Sequence, residues 1–272
     1  MPFSDPLTQQ TVEDALRGTP GFTVRVFPCA DSTNLLARQA AAAGAAEGLV
    51  FIAGQQTAGR GRLGRSFFSP GDTGLYLSLV LRPVLPAARA VQLTCAAAVA
   101  VCEALEQLCG AAPQIKWVND IFLGGKKVCG ILTEAVLLPG TDKPDYAVLG
   151  VGLNVYPPTD GWPAQLADIA GSVCGADAIQ PGLRARLAAA FLQHFSVHYR
   201  SLQSGGKDFL PGYRSRSPVP GRQVFLEENG VRTPALALAI DDDCRLLVRM
   251  ADGTQRALTA GEISIRPEAG TF

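Results

Sequence analysis

Gly59-Arg60-Gly61-Arg62-Leu63-Gly64-Arg65, followed by Ser66-Phe67-Phe68-Ser69-Pro70-Gly71, is the stretch on which the fold assignment turns. Gly59, Gly61 and Gly64 satisfy Gly-x-Gly-x-x-Gly, the pattern of a dinucleotide-binding βαβ unit. That unit requires a helix directly after the glycines and an acidic residue at the end of the next strand. Here a turn-rich segment follows, and the next strand pattern, residues 75–81, ends in Arg82-Pro83. The doubly wound reading fails on this context, and no Gly-Lys-Ser/Thr of a phosphate loop is present. Three guanidinium groups interleaved with three glycines remain. Glycine lets a backbone approach a ligand closely, and arginine matches carboxylate and phosphate with a planar fork. Against the plain alternative of a solvated basic turn, the loop reads as a device that closes over an anion.

The surrounding composition makes such a local device necessary. The chain has 272 residues, with 24 basic and 24 acidic side chains, so no global field attracts nucleic acid or an anionic membrane. Apolar residues at 47 % and charged residues at 18 % describe a globular chain with a sizeable core. The alanine-rich runs are interrupted by Arg, Glu or Gly, and the N-terminus lacks the pattern of a signal peptide. Seven scattered cysteines predict a reducing cytoplasm. Cys95, Cys102 and Cys109 recur every seven residues and read as small core residues, since no close Cys or His partner makes a metal set.

Working outward, helices are predicted over 8–17, from Asp31-Ser32-Thr33-Asn34 to Gly44, over 87–108 and over 182–202. Strands are predicted over 22–28, 49–53, 75–81, 114–117 and 146–151, with a hairpin of 121–123 and 127–138 joined by Gly124-Gly125. Gly205-Gly206 with Pro211, Pro218 and Pro220 mark a boundary. Short β-patterned runs over 219–266 then predict a small barrel of SH3 size. Asp241, Asp242 and Asp243 read as a turn within it. His194 and His198 lie four apart on a helix, without the Glu of a zincin or an evident third ligand, and read as structural.

Lys116-Trp117-Val118-Asn119-Asp120 places a cation, an amide and a carboxylate at a strand exit. Further motifs follow Asp31-Ser32-Thr33-Asn34 in order: Gln56 before the Gly/Arg loop, Leu75-Tyr76-Leu77-Ser78, Lys116 to Asp120, Lys127-Val128-Cys129-Gly130-Ile131-Leu132 with Glu134, Gly150-Val151-Gly152-Leu153-Asn154, and Gly261-Glu262-Ile263-Ser264-Ile265-Arg266. Together they resemble the biotin–protein ligases and span residues 31–266. Two departures stand out. The family usually has Pro where Val118 stands and commonly Trp where Phe67 stands. A lipoate–protein ligase shares the chemistry but not this Gly/Arg signature, and a nucleic-acid-binding module leaves the other motifs unexplained.

The resemblance implies an α+β fold, with a class II aminoacyl-tRNA synthetase-like catalytic domain over 1–215 and an SH3-like β-barrel over 216–272. It implies a ligase that forms biotinyl-5′-AMP from biotin, ATP and Mg2+ and biotinylates a lysine of a biotin carboxyl carrier protein. About thirty residues precede Asp31, so a ligase-only form without an operator-binding domain is expected, with no DNA or membrane partner, as a cytoplasmic monomer or homodimer. By position, the resemblance assigns biotin binding to Ser32, Thr33, Asn34, Gln56, Gly59, Arg60, Gly61, Arg62 and Lys116. Arg62, Lys116 and Asp120 are the catalytic candidates, with Lys116 the main transition-state cation and Asp120 facing the acceptor lysine. Arg65, Phe67, Asn119, Lys127, Asn154 and Arg266 fall on the nucleotide side. Metal ligands are not assigned.

Overall fold

Along the strand Gly74–Leu81 (β3), Leu75, Leu77, Leu79 and Leu81 alternate with Tyr76, Ser78 and Val80, and every residue is buried. A strand buried on both faces has a layer on each side. The leucines join the main core, whereas Val80 joins a smaller cluster with Ala37 and Ala41 of helix α2 (Thr33–Ala42). The computed structural model describes residues 5–228, 230–259 and 262–265.

β3 lies inside a seven-stranded sheet of order β1-β2-β3-β7-β6-β5-β4. Its other members are β1 (Thr23–Phe27), β2 (Leu49–Ala53), β4 (Gln114–Lys116), β5 (Asp120–Leu123), β6 (Lys126–Leu137) and β7 (Pro144–Asn154). Only β1 and β2 run parallel; the remaining neighbours are antiparallel. Helices α3 (Ala90–Cys109) and α4 (Leu183–Gln203) supply apolar side chains to the main core. Helix α1 (Gln9–Ala15) closes one end, with Thr8 and Thr11 forming a reciprocal cap. The stretch from Ala87 to Cys109 has the length and apolarity of a membrane span, but 72 % of its 18-residue apolar window is buried inside the fold, so it is a core helix. Cys95 and Cys102 are fully buried on it, as expected of core residues.

The sequence reading differs from the structure around Pro211. That proline was expected to mark a boundary, yet it opens helix α5 (Leu210–Arg216), where its missing N–H costs nothing. Beyond α5 a five-stranded antiparallel sheet, order β11-β10-β9-β8-β12, forms the second unit. Its strands are β8 (Gln223–Glu228), β9 (Val231–Ile240), β10 (Leu246–Met250), β11 (Gln255–Leu258) and β12 (Glu262–Ile265). The predicted aspartate turn is present and bridges the two units. Asp242 pairs with Arg214 at 2.7 Å, Asp243 with Lys207 at 3.3 Å, and Trp117 Nε1 donates to the Cys244 carbonyl at 2.9 Å. His198 and His194 both meet Glu103, at 2.8 and 3.4 Å, linking α4 to α3.

Candidate active site

Three glycines make the floor. On β7, Tyr146, Val148, Gly150 and Gly152 fall on one face by strand alternation, and Tyr146 and Val148 are covered by α2. Gly150 and Gly152 stand beyond that cover, and Gly130 of β6 lies directly opposite Gly152. A Cβ on Gly150 would stand 2.0 Å from Asn34 Oδ1, and one on Gly152 would stand 2.5 Å from the Phe67 ring. Absent side chains on two paired strands thus leave a slot at the sheet surface.

Polar groups from the start of α2 line one side of this slot. The Ser78 hydroxyl donates to Asn34 Oδ1 at 2.6 Å and lies 2.8 Å from Thr33 Oγ1, while Asn34 Nδ2 donates to Glu134 at 3.0 Å. The Thr33 N–H donates to Gln56 Oε1 at 2.9 Å, Gln56 Nε2 donates to Ser69 at 3.0 Å, and Ser69 donates to the Phe67 carbonyl. Ser32 is the exception. It occupies the N-cap of α2 without capping it, is 2 % exposed, and its hydroxyl has no partner among the described residues. An orphaned buried hydroxyl at a pocket wall is a group held ready for a ligand.

The Gly/Arg loop forms a tight hairpin over the slot. Phe67 N–H donates to Gly59 O at 2.9 Å, Arg60 bridges Ser66, and Gly61 N–H donates to Arg65 O at 2.7 Å. At the tip Leu63 and Gly64 both take left-handed conformations, with φ of 56° and 75°. Gly59 is required by packing, since a Cβ there would meet Phe67 O at 2.4 Å. It therefore shapes the hairpin and lines neither chamber. Arg62 Nη1 donates to Asn119 Oδ1 at 3.0 Å, and Asn119 is tied on both its backbone and side chain to Ile131.

Two adjoining chambers result. The inner one, about 50 Å3, is lined by Ser32, Thr33, Asn34, Gln56, Arg60 and the glycine floor, with Leu77, Ile131, Leu132 and Val151 as apolar walls. The outer one, about 280 Å3, is lined by Arg62, Arg65, Lys116 and Lys127 against two carboxylates, Asp120 and Glu227. Gly61, Phe67, Asn119 and Lys127 line both. Lys127 pairs with Asp120 at 2.6 Å, and Lys116 lies opposite Asp120 in the β4–β5 ladder, with its ammonium 5.8 Å from the Phe122 ring centre. Tyr76, beneath Phe67, donates to the Pro70 carbonyl, and burial pushes its phenol up to about 12.

Most residues selected from sequence thus converge. Lys116 lines the outer chamber only, away from the inner pocket that it was expected to share. Asn34 lines the inner pocket with both amide atoms already engaged. Asn154 lines neither chamber and donates to Gly171 O at 3.0 Å. Arg266 lies outside the described residues. Sequence reasoning gave no site role to Ser69, Ser78, Glu134, the glycine floor or Glu227. A Gly-x-Gly inside a strand was the available signal for the floor, because its glycines share one face. At Val118 the expected proline is absent and the Trp117–Val118 peptide is cis. The turn is anchored by Trp117 and by Tyr213, whose hydroxyl donates to the Val118 carbonyl at 3.0 Å.

The fold and site define an α+β protein with two adjoining chambers beneath a Gly/Arg hairpin, one walled mainly by hydroxyls, amides and apolar groups and one rich in cations. Residues 26–154 match the Biotin/lipoate A/B protein ligase family, and residues 221–266 match the Biotin protein ligase C terminal domain. The chain is 35 % identical over 232 residues to the bifunctional ligase/repressor BirA of Bacillus subtilis, covering 84 % of this chain and 70 % of that protein. It is 32 % identical over 267 residues to the biotin–[acetyl-CoA-carboxylase] ligase of Mycobacterium tuberculosis, covering 95 % of each. The biotin protein ligase of Aquifex aeolicus, solved with biotin and ATP, aligns with a TM-score of 0.73 at 25 % identity, over 90 % of this chain and 99 % of that one. The chain belongs to the biotin protein ligase family, with its α+β catalytic fold and C-terminal antiparallel domain.

Proposed function

We propose that the inner pocket takes the bicyclic head of biotin, that the outer chamber takes ATP, and that the biotinyl group passes to a lysine of a biotin carboxyl carrier protein. The observation that carries this reading is the contrast between the two chambers. The inner one is lined mainly by hydroxyls, amides and apolar walls, with Arg60 and the shared Lys127 as its cations; the outer one gathers Arg62, Arg65, Lys116 and Lys127; they meet at Gly61, Phe67, Asn119 and Lys127. The Aquifex aeolicus ligase, solved with biotin and ATP, supports the same pairing.

In the first step a carboxylate oxygen of biotin attacks the α-phosphorus of ATP, and the bond to pyrophosphate breaks. Two anions must meet, so cations at the junction offset their repulsion and the charge that develops at phosphorus. Lys127 is the cation that reaches both chambers, and Asp120 fixes its ammonium. Lys116 and Arg65 serve the phosphates in the outer chamber. Arg62, held by Asn119, closes the loop over the mixed anhydride. Ser32 gives the ureido group its hydrogen bond, with Thr33 and Gln56 beside it. In the second step the neutral amine of the acceptor lysine attacks the acyl carbon, an amide forms, AMP leaves, and the amine proton is lost to solvent.

Among the described residues no three carboxylate, histidine or cysteine side chains cluster to hold a metal. The two acids of the outer chamber are each paired, Asp120 with Lys127 and Glu227 with Arg232 at 3.3 Å. Magnesium fits this chamber as an ion carried in by the nucleotide phosphates, as is usual for that ion. Seven free thiols support placing the enzyme in a reducing cytoplasm. Only the ligase activity of the bifunctional relatives is assigned to the chain, and the division near residue 215 is proposed as its domain boundary. Incubation of the purified chain with ATP, Mg2+, biotin and a carrier domain is expected to give a biotinylated carrier. Transfer of lipoate in place of biotin would overturn the assignment.

A further inference from the structure

Lys127 reaches the chambers because of an irregularity in β6. Ile121 lies opposite Cys129 and Phe122 opposite Lys127, so Val128 is an extra residue in the β5–β6 ladder. Val128 and Cys129 are both buried in the main core. The bulge sends Lys127 to the opposite face, where its ammonium lies 3.4 Å from the position of a Cβ on Gly130. Bulges re-aim side chains in this way, but they also interrupt the ladder that holds the backbone.

A separate segment holds Lys127 from the other edge of β6, where the β7 ladder has ended at Cys129 opposite Leu153. Lys127 N–H donates to Ile169 O at 2.7 Å, Gly171 N–H donates to Lys127 O at 2.9 Å, and Lys127 bridges Ala170 in parallel. The neighbouring Lys126 ammonium donates to the Asp168 carbonyl at 2.7 Å. Asn154, where β7 ends, ties this segment to the sheet by donating from Nδ2 to Gly171 O at 3.0 Å, and Val173 N–H returns to Asn154 O at 2.9 Å. Contact is close enough that a Cβ on Gly171 would stand 2.6 Å from Lys126 Cβ.

We infer that residues 169–171, locked by Asn154, form a clasp that positions Lys127 for catalysis, so that Asn154 and Gly171 are positioning residues for biotin activation. The inference rests on the reading of Lys127 as the cation shared by both chambers. The clasp holds the Lys127 backbone on both its N–H and its carbonyl, and a displaced backbone moves the ammonium away from the reacting oxygens.

Biotin-dependent ATP–pyrophosphate exchange by the full chain tests it. Asn154→Ala and Gly171→Ala are each expected to lower kcat about 10- to 100-fold, with the KM values for biotin and ATP little changed. In a Lys127→Ala background the same substitutions should cost less than about twofold, because the group they position is gone. An equal fold loss in both backgrounds, or parental activity in Asn154→Ala, would overturn the clasp. Should Gly171→Ala fail to fold, the Asn154→Ala cycle alone decides the question. Parental activity in Lys127→Ala would instead reject the role of Lys127 itself.

Discussion

Arg62 and Asn119 are joined by a hydrogen bond of 3.0 Å although 57 residues separate them, and this bond pins the Gly/Arg hairpin to the β4–β5 turn, which is itself tied to Ile131 of β6. Asn119 was assigned to the nucleotide from sequence. In the structure its carboxamide is engaged at both ends, with Arg62 on one side and the Ile131 carbonyl on the other. It therefore acts as the latch of the lid.

Loss of that latch should free the adenylate. Arg62→Gly removes both the guanidinium and the tether, and release of biotinyl-5′-AMP is expected to rise by at least about tenfold, the worth of one charged hydrogen bond. Asn119→Ala should give part of the same effect. Rapid filtration of preformed adenylate measures it, and indiscriminate labelling of bystander proteins should accompany it. Retention equal to that of the parent would remove Arg62 from this role.

Ser32→Ala separates binding from folding. The hydroxyl is buried without a partner among the described residues, so its removal should leave the melting temperature unchanged or slightly raised. Biotin affinity, measured by calorimetry, should fall about tenfold, corresponding to a hydrogen bond worth roughly 1.4 kcal/mol. A large loss of stability with intact affinity would show that Ser32 serves the fold.

The two lysines are expected to fail differently. Lys127→Ala should weaken biotin binding and slow adenylate formation by about 100-fold or more while leaving a measurable residual rate, since this side chain lines both chambers. Lys116→Ala should spare biotin binding while pyrophosphate exchange falls by about 100-fold or more. Equilibrium dialysis beside an exchange assay distinguishes them, and equal loss of biotin binding in both variants would contradict the assignment.

Acid should weaken the contact between α3 and α4. Burial raises the Glu103 pKa, but hydrogen bonding and charge from His198, with His194 and Arg216 beyond, outweigh it and hold the carboxyl below its ordinary value of 4.5. A depressed folded-state value stabilises the fold above the unfolded value, and that contribution disappears as pH falls through the folded one. Glu103→Gln should therefore be less stable than the parent at neutral pH, with the difference closing below about pH 4. Denaturant melts across that range supply the check.

Much of the site could be read directly because its residues sit in short contiguous motifs. Ser32, Gln56, the Gly/Arg loop and Lys127 all arrive at the chambers. The glycines of 150–152 were visible as a motif, but their purpose becomes visible only when Gly130 is found opposite Gly152. Longer-range partners left no local trace. Glu134 meets Asn34 across 100 residues, and the Trp117 indole meets the second unit across 127. The choice between Lys116 and Lys127 was equally hidden. Lys116 ends β4 and Lys127 is the second residue of β6, and the extra residue at Val128 aims the Lys127 ammonium at the inner pocket. Pro211 misled because proline both breaks helices and begins them, and the outcome depends on what α5 packs against.

The bare floor of the inner pocket also constrains how this lineage can change. Every single-base change in the coding region for Gly130, Gly150 or Gly152 that alters the amino acid either adds a side chain or ends translation. At Gly150 and Gly152 the space is already taken by Asn34 and Phe67. Variation in what the pocket accepts must therefore enter through its walls, at positions such as Leu77, Leu132 and Phe67, while the floor stays silent.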